Sequence, residues 1–240
     1  MSAPLSAFAD TLNAAVAANF TKTIEEIGLG FKAKTGHEVK FAFGPTGKLY
    51  AQIKNGAPFD LFFAADTAKP EALLKEDLVK KDSYFVYARG VLALYSPTLP
   101  VKSDYKAVLE KAEFNHLSIA NPKTAPYGQA AEAVMSKLGV YDTVKPKIVN
   151  GESIAHAFQY VQTGNAELGF VALSQLVDPQ SPAYHKGQYW LPAQDMYAPI
   201  DQAAVILKKA ENNPVAQQFM DYLRSDEGRK VIERYGYSIP

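Results

Sequence analysis

The stretch Leu12-Asn13-Ala14-Ala15-Val16-Ala17, followed by Ile24, Ile27 and Phe31 and closed by Thr35-Gly36, decides the reading of this 240-residue chain. Its first six residues form an apolar run of strand length. The next three recur at the three-to-four-residue interval of one helix face, and Gly36 stands where a helix stops. The same strand-then-helix unit returns at 39–43 with 46–54, and at 59–64 with 70–78. Such alternation predicts an α/β protein with parallel strands wound by helices on both sides.

Residues 84–95 read as one long strand interrupted by Arg89-Gly90, and a chain of that kind can pass between two lobes. A second series of units then begins, with 117–119 before 127–138, 147–149 before 153–162, and 168–171 before a short turn. Residues 203–207 form a return strand, and Val215, Phe219, Tyr222 and Leu223 share one face of a closing helix. The expected organisation is two α/β lobes, 10–86 plus 201–240 and 87–200, around a cleft. Crossovers near 84–89 and 198–201 would act as the hinge.

With 48% hydrophobic residues the chain can bury a large core. Its 25 Lys and Arg balance 25 Asp and Glu, and no basic run occurs, which argues against a nucleic-acid partner. Cysteine is absent, so disulfides, thiolate metal sites and Cys nucleophiles are excluded, while either redox compartment remains open. Ala7-Phe8-Ala9 before Asp10 matches the small-x-small pattern of an export-signal cleavage site near Ala9. Residues 1–9 are read as a trimmed signal-peptide remnant, the alternative being an irregular start. No later segment approaches the roughly 18 apolar residues of a membrane span, so a soluble chain is expected.

In open α/β sheets ligands sit at the carboxyl ends of strands, where helix N-termini converge. Four such junctions stand out: Ala18-Asn19-Phe20-Thr21, Gly44-Pro45-Thr46-Gly47-Lys48, Ala125-Pro126-Tyr127-Gly128 and Gly151-Glu152-Ser153-Ile154. Helix N-termini present unpaired N–H donors and a partial positive charge, which suits an anion. Asn19, Thr46 and Ser153 are also residue types that cap helices for local reasons, so an anion site and ordinary caps both remain open.

Other chemistry finds less support. The 44–49 segment has its first glycine too close to Gly47-Lys48 for a phosphate-binding P-loop, and Leu49 stands where a Mg²⁺-binding hydroxyl is needed. His37, His116, His156 and His185 lack metal-ligand spacing. No Gly-x-Ser-x-Gly elbow occurs, so an enzyme reading has no nucleophile to build on. The effector domain of a transcription regulator would need a DNA-binding segment, and the export-like start opposes it.

Three segments carry a resemblance: Ala14-Ala15-Val16-Ala17-Ala18-Asn19-Phe20; Gln52-Ile53-Lys54-Asn55-Gly56-Ala57-Pro58-Phe59-Asp60-Leu61-Phe62-Phe63-Ala64-Ala65-Asp66; and Tyr222-Leu223 with Arg234-Tyr235-Gly236-Tyr237. Through them, residues 11–240 resemble the periplasmic molybdate-binding proteins of ABC importers, a class of two-lobed solute-binding protein. The resemblance implies a type II periplasmic-binding-protein-like fold, each lobe a mostly parallel sheet flanked by helices. It implies a monomeric periplasmic protein that is not an enzyme and needs no cofactor. Its partners would be molybdate or tungstate and an ABC permease with its ATPase subunit.

The resemblance also places the ligand. Asn19, with Ala18 beside it, occupies the first-loop position, and Thr46 the hydroxyl position of the second loop. Tyr127 and Ile154 fall where backbone N–H groups are donated. One departure is plain: Leu168-Gly169-Phe170-Val171 is followed by Ala172 where many relatives carry a tyrosine hydroxyl. Tyr127, the Asn19 amide or water could replace that donor. Molybdate and tungstate are fully ionised at neutral pH and only accept hydrogen bonds. A protonated phosphate would leave an O–H unpaired, at about 1–3 kcal/mol. Sulfate and chromate are the alternatives, rejected only by the size of the pocket.

Overall fold

The structure is a computed structural model that describes residues 10–240, so the export-signal reading of 1–9 lies outside the described residues. The chain begins with β1 (Thr11–Ala17), α1 (Thr21–Thr35), β2 (Glu38–Gly44), α2 (Thr46–Lys54), β3 (Leu61–Phe63), α3 (Ala68–Lys75) and β4 (Phe85–Gly90). It then crosses into β5 (Leu92–Ser96), α4 (Val101–Lys111), β6 (Leu117–Ala120), α5 (Pro126–Lys137) and α6 (Tyr141–Val144). This second half continues through β7 (Ile148–Gly151), α7 (Ile154–Gln162), β8 (Leu168–Ala172), α8 (Leu173–Val177) and β9 (Gln188–Trp190). The chain returns with β10 (Ile200–Ile206), α9 (Pro214–Arg224) and α10 (Asp226–Arg234).

Two five-stranded sheets result, ordered β2-β1-β3-β10-β4 and β7-β6-β8-β5-β9. The plan is the same in both: the strands joined by helices run parallel, and one strand runs against its two neighbours. The reversed strands are β10 and β5. Both are the strands by which the chain enters a sheet from the other half, and neither is linked to its neighbours by the helical crossover that parallel pairing needs.

The stretch 84–95, expected as one strand, is two strands in different sheets, separated at Val91. The expected boundary after residue 86 falls inside β4, whose pairing with β10 continues to Gly90 opposite Ile200. Burial gives the reason: Tyr87 and Ala88 pack in the core of the first sheet, Leu92 and Leu94 in that of the second. A bidentate ion pair between Arg89 and Asp201, at 2.5 and 3.0 Å, ties β4 to β10 just before the crossings.

The first core forms as the periodicity requires. Ile24, Ile27 and Phe31 of α1 are buried, and Phe31 meets Phe219 of α9 nearly edge-on with ring centres 5.1 Å apart. Gly36 closes α1 in the left-handed region, φ 79°, where a side chain would be strained. None of the described helices is long and apolar enough to cross a membrane.

Candidate functional site

The carboxyl ends of β1 and β2 face those of β6 and β7 across the cleft, and the four junctions after them line one small cavity, of about 10 Å³. Ala18, Asn19, Thr46, Tyr127 and Ile154 all lie in its wall, and no charged residue does. Each is nearly inaccessible to solvent, from 1% exposure at Thr46 to 9% at Ala18. The structure thus brings together all five expected residues, contributed by both halves of the chain.

Their backbone geometry follows from position. Thr46 and Ile154 open α2 and α7, Tyr127 follows Pro126 at the start of α5, and Asn19 lies in a one-turn 3₁₀ segment before α1. The first N–H groups of a helix have no partner within it. Among the described residues the N–H groups of Asn19, Thr46, Tyr127 and Ile154 find no acceptor elsewhere either. Ser153 does cap α7, its hydroxyl accepting from the His156 N–H at 3.4 Å, whereas the Asn19 and Thr46 side chains cap nothing.

The Thr46 hydroxyl has a fixed polarity. It accepts the Ala65 N–H at 3.0 Å, and its own hydrogen has no acceptor among the described residues, so it faces the cavity as a donor. The site therefore offers four N–H groups and one O–H, with the positive ends of helices behind them.

Asn19 departs from the expectation. Both N–H groups of its amide are engaged, with Gln202 Oε1 at 2.9 Å and the Tyr237 hydroxyl at 3.0 Å, so the side chain is not a free donor. The Tyr127 hydroxyl is turned to β10, where it accepts from Gln202 Nε2 at 3.4 Å. It lies so near Gly90 that a Cβ there would be 2.1 Å away, which only glycine avoids. At Ala172, the N–H donates to Gln175 Oε1 at 2.9 Å, and Gln175 Nε2 donates to the Ile154 carbonyl at 3.2 Å. Of the three proposed substitutes for the missing tyrosine donor, the Asn19 amide thus has both its N–H groups engaged within the protein, and the Tyr127 hydroxyl lies against Gln202.

Sequence reasoning missed Gln202, Tyr87, Ser174 and Tyr237, which with Asn19 and Tyr127 build a buried polar network beside the cavity. Gln202, a polar residue directly before the apolar run 203–207 and fully buried in the structure, was the legible signal. Burial holds the Tyr87 and Tyr127 hydroxyls well above the ordinary tyrosine range and pushes Tyr237 up to about 12. The network is therefore neutral at physiological pH.

Three further contacts join the halves. The Gly47 N–H donates to the Thr124 carbonyl at 3.0 Å, Ser174 Oγ donates to the Asn19 carbonyl at 3.1 Å, and Lys48 forms an ion pair with Glu152 at the rim. The cleft is closed in this conformation. Among the described residues no group of His, Asp and Glu is arranged to hold a metal ion.

Comparison with known proteins gives a consistent result. Residues 12–238 match the family model of bacterial extracellular solute-binding proteins. The molybdate-binding protein of Azotobacter vinelandii is 51% identical over 94% of this chain and 88% of its own, and that of Rhodobacter capsulatus is 45% identical over 99% and 92%. The solved structure of an Azotobacter vinelandii periplasmic molybdate-binding protein superposes with a TM-score of 0.90 at 37% identity, over 95% of this chain and 99% of the other.

Proposed function

The chain belongs to the family of bacterial extracellular solute-binding proteins, and on that premise we propose that it captures molybdate or tungstate in the interlobe cleft for an ABC importer. The observation that carries the reading is the wall of the cavity: four unpaired N–H groups, a Thr46 hydroxyl poised to donate, and no charged side chain. A fully ionised tetrahedral oxyanion has only acceptors, so each donor can find a partner. Buried donors left without one cost about 1–3 kcal/mol each, which gives a closed empty cleft a reason to open.

In this reading Ala18 supplies the small side chain that lets the anion approach. Asn19, Tyr127 and Ile154 bind through their backbones, and Thr46 through backbone and hydroxyl. The protein works outside the cytoplasmic membrane as a monomer, catalyses no reaction and needs no cofactor. Its closed, loaded form is what the permease and its ATPase would receive.

Calorimetric titration with molybdate, tungstate, sulfate, chromate and phosphate tests the proposal. Molybdate and tungstate should bind tightly. Phosphate should bind roughly 5- to 150-fold more weakly, because one unpaired O–H costs about 1–3 kcal/mol. Equal affinity for phosphate and molybdate would reject a pocket of donors alone, and preference for sulfate or chromate would reassign the ligand within the same chemistry.

A further inference from the structure

We propose that Tyr237 and Ser174 are positioning residues for the anion, acting through Asn19 without lining the cavity; the inference rests on the oxyanion reading of the site. A trans peptide points its N–H and its carbonyl in opposite directions. The Ala18 carbonyl is held by Thr21 Oγ1 at 2.9 Å, on the side of α1, which turns the Asn19 N–H of the same peptide the other way. The next peptide is held through its own carbonyl, the Asn19 oxygen, which accepts from the Tyr237 hydroxyl at 2.7 Å. The Asn19 amide completes a ring by donating to the Tyr237 oxygen at 3.0 Å. Asn19 is thus gripped at its carbonyl and its amide nitrogen by one residue, and its backbone N–H, in the wall of the cavity, has no acceptor among the described residues.

Ser174 adds a part that depends on closure. It sits on α8 in the second half, 3.1 Å from the Asn19 carbonyl and 3.0 Å from the Tyr237 oxygen, whereas Asn19 and Tyr237 belong to the first half. Its single hydroxyl proton serves this pair only when the halves meet. Tyr237 therefore shapes the donor loop in open and closed forms alike, and Ser174 stabilises the closed form alone. The two substitutions should separate kinetically.

The test compares Tyr237→Phe and Ser174→Ala with the unaltered protein, using molybdate as the probe in stopped-flow binding and in thermal melts with and without the anion. Tyr237→Phe keeps the ring, which packs edge-on against Phe20 at 5.3 Å, and removes only the hydroxyl. It should weaken binding about five- to tenfold, as expected for lost neutral hydrogen bonds. It should also reduce the rise in melting temperature that molybdate causes, an effect that equal destabilisation of free and bound forms cannot produce. Ser174→Ala should speed dissociation roughly three- to tenfold and leave association within twofold, because its contact forms after the encounter. If both variants bind like the unaltered protein, Tyr237 and Ser174 have no positioning role while the oxyanion reading stands. An unaltered protein that binds neither molybdate nor tungstate would overturn both.

Discussion

Thr46→Val replaces the hydroxyl with a methyl group of nearly the same shape and so separates two duties of one oxygen. Toward the cavity, the hydroxyl would donate to a charged acceptor, a bond worth roughly 1.5–3 kcal/mol, and its loss should weaken molybdate binding about 10- to 150-fold. Toward the protein, the same oxygen accepts the Ala65 N–H at 3.0 Å, and Ala65 is only 3% exposed. Valine leaves that N–H buried and unpaired, at about 1–3 kcal/mol of folding stability even without ligand. Thr46→Ser keeps both bonds and should stay close to the unaltered protein in both measurements. Calorimetric titration gives the first quantity, and urea denaturation of the ligand-free protein gives the second. A Thr46→Val protein that loses stability yet binds molybdate within twofold of normal would show that the hydroxyl only braces Ala65, and the donor assignment would fall.

Gly90→Ala should lower both stability and affinity, since the new Cβ would lie 2.1 Å from the Tyr127 hydroxyl and 2.5 Å from Gln202 Nε2. Overpacking of this kind costs about 1–3 kcal/mol, and Tyr127→Phe in the same chain should recover part of the loss in denaturation and titration experiments. Folding stability should decline as pH rises above 10. The folded-state pKa of Tyr237 is raised to about 12, so its contribution is complete below the unfolded value near 10 and disappears as pH passes through 12. The loss from Tyr237 alone is about 3 kcal/mol, with Tyr87 and Tyr127 acting in the same direction, and urea denaturation at pH 8 to 11.5 measures its onset. Glu152→Gln breaks the exposed rim pair with Lys48 and should change molybdate dissociation less than about fivefold, an effect that vanishes in high salt. Small-angle scattering should report compaction when molybdate saturates the protein, since the donors come from both halves; no compaction would mean that the free cleft is already closed.

The order of strands and helices was legible because it is written in local periodicity. Ile24, Ile27 and Phe31 mark α1, the 46–54 segment coincides with α2, and Val215, Phe219 and Leu223 are buried on α9 as their spacing demands. Helix α10 escaped notice: it is mostly charged, only Gly228 and Ile232 are buried, and no apolar stripe announces it. The break at Val91 escaped as well, because Tyr84 to Tyr95 is uniformly suited to strand and nothing local says which sheet receives each half.

The site divides along the same line. Its members could be named from four strand-to-helix junctions, because a helix start carries its free N–H groups wherever the helix ends up. The junctions were found in that way, with an anion site and ordinary caps both open, and it was the resemblance that picked out Ala18, Asn19, Thr46, Tyr127 and Ile154 and assigned them to one ligand. What each side chain does depended on partners far along the chain. Asn19 meets Gln202 and Tyr237, 183 and 218 positions away, and their hydroxyl and amide groups take up the donors that looked free for an anion. Local chemistry was therefore enough to mark the helix starts that carry free donors, whereas the division between donors that face the cavity and donors taken up within the protein arises only when distant segments compete for the same hydrogen bonds.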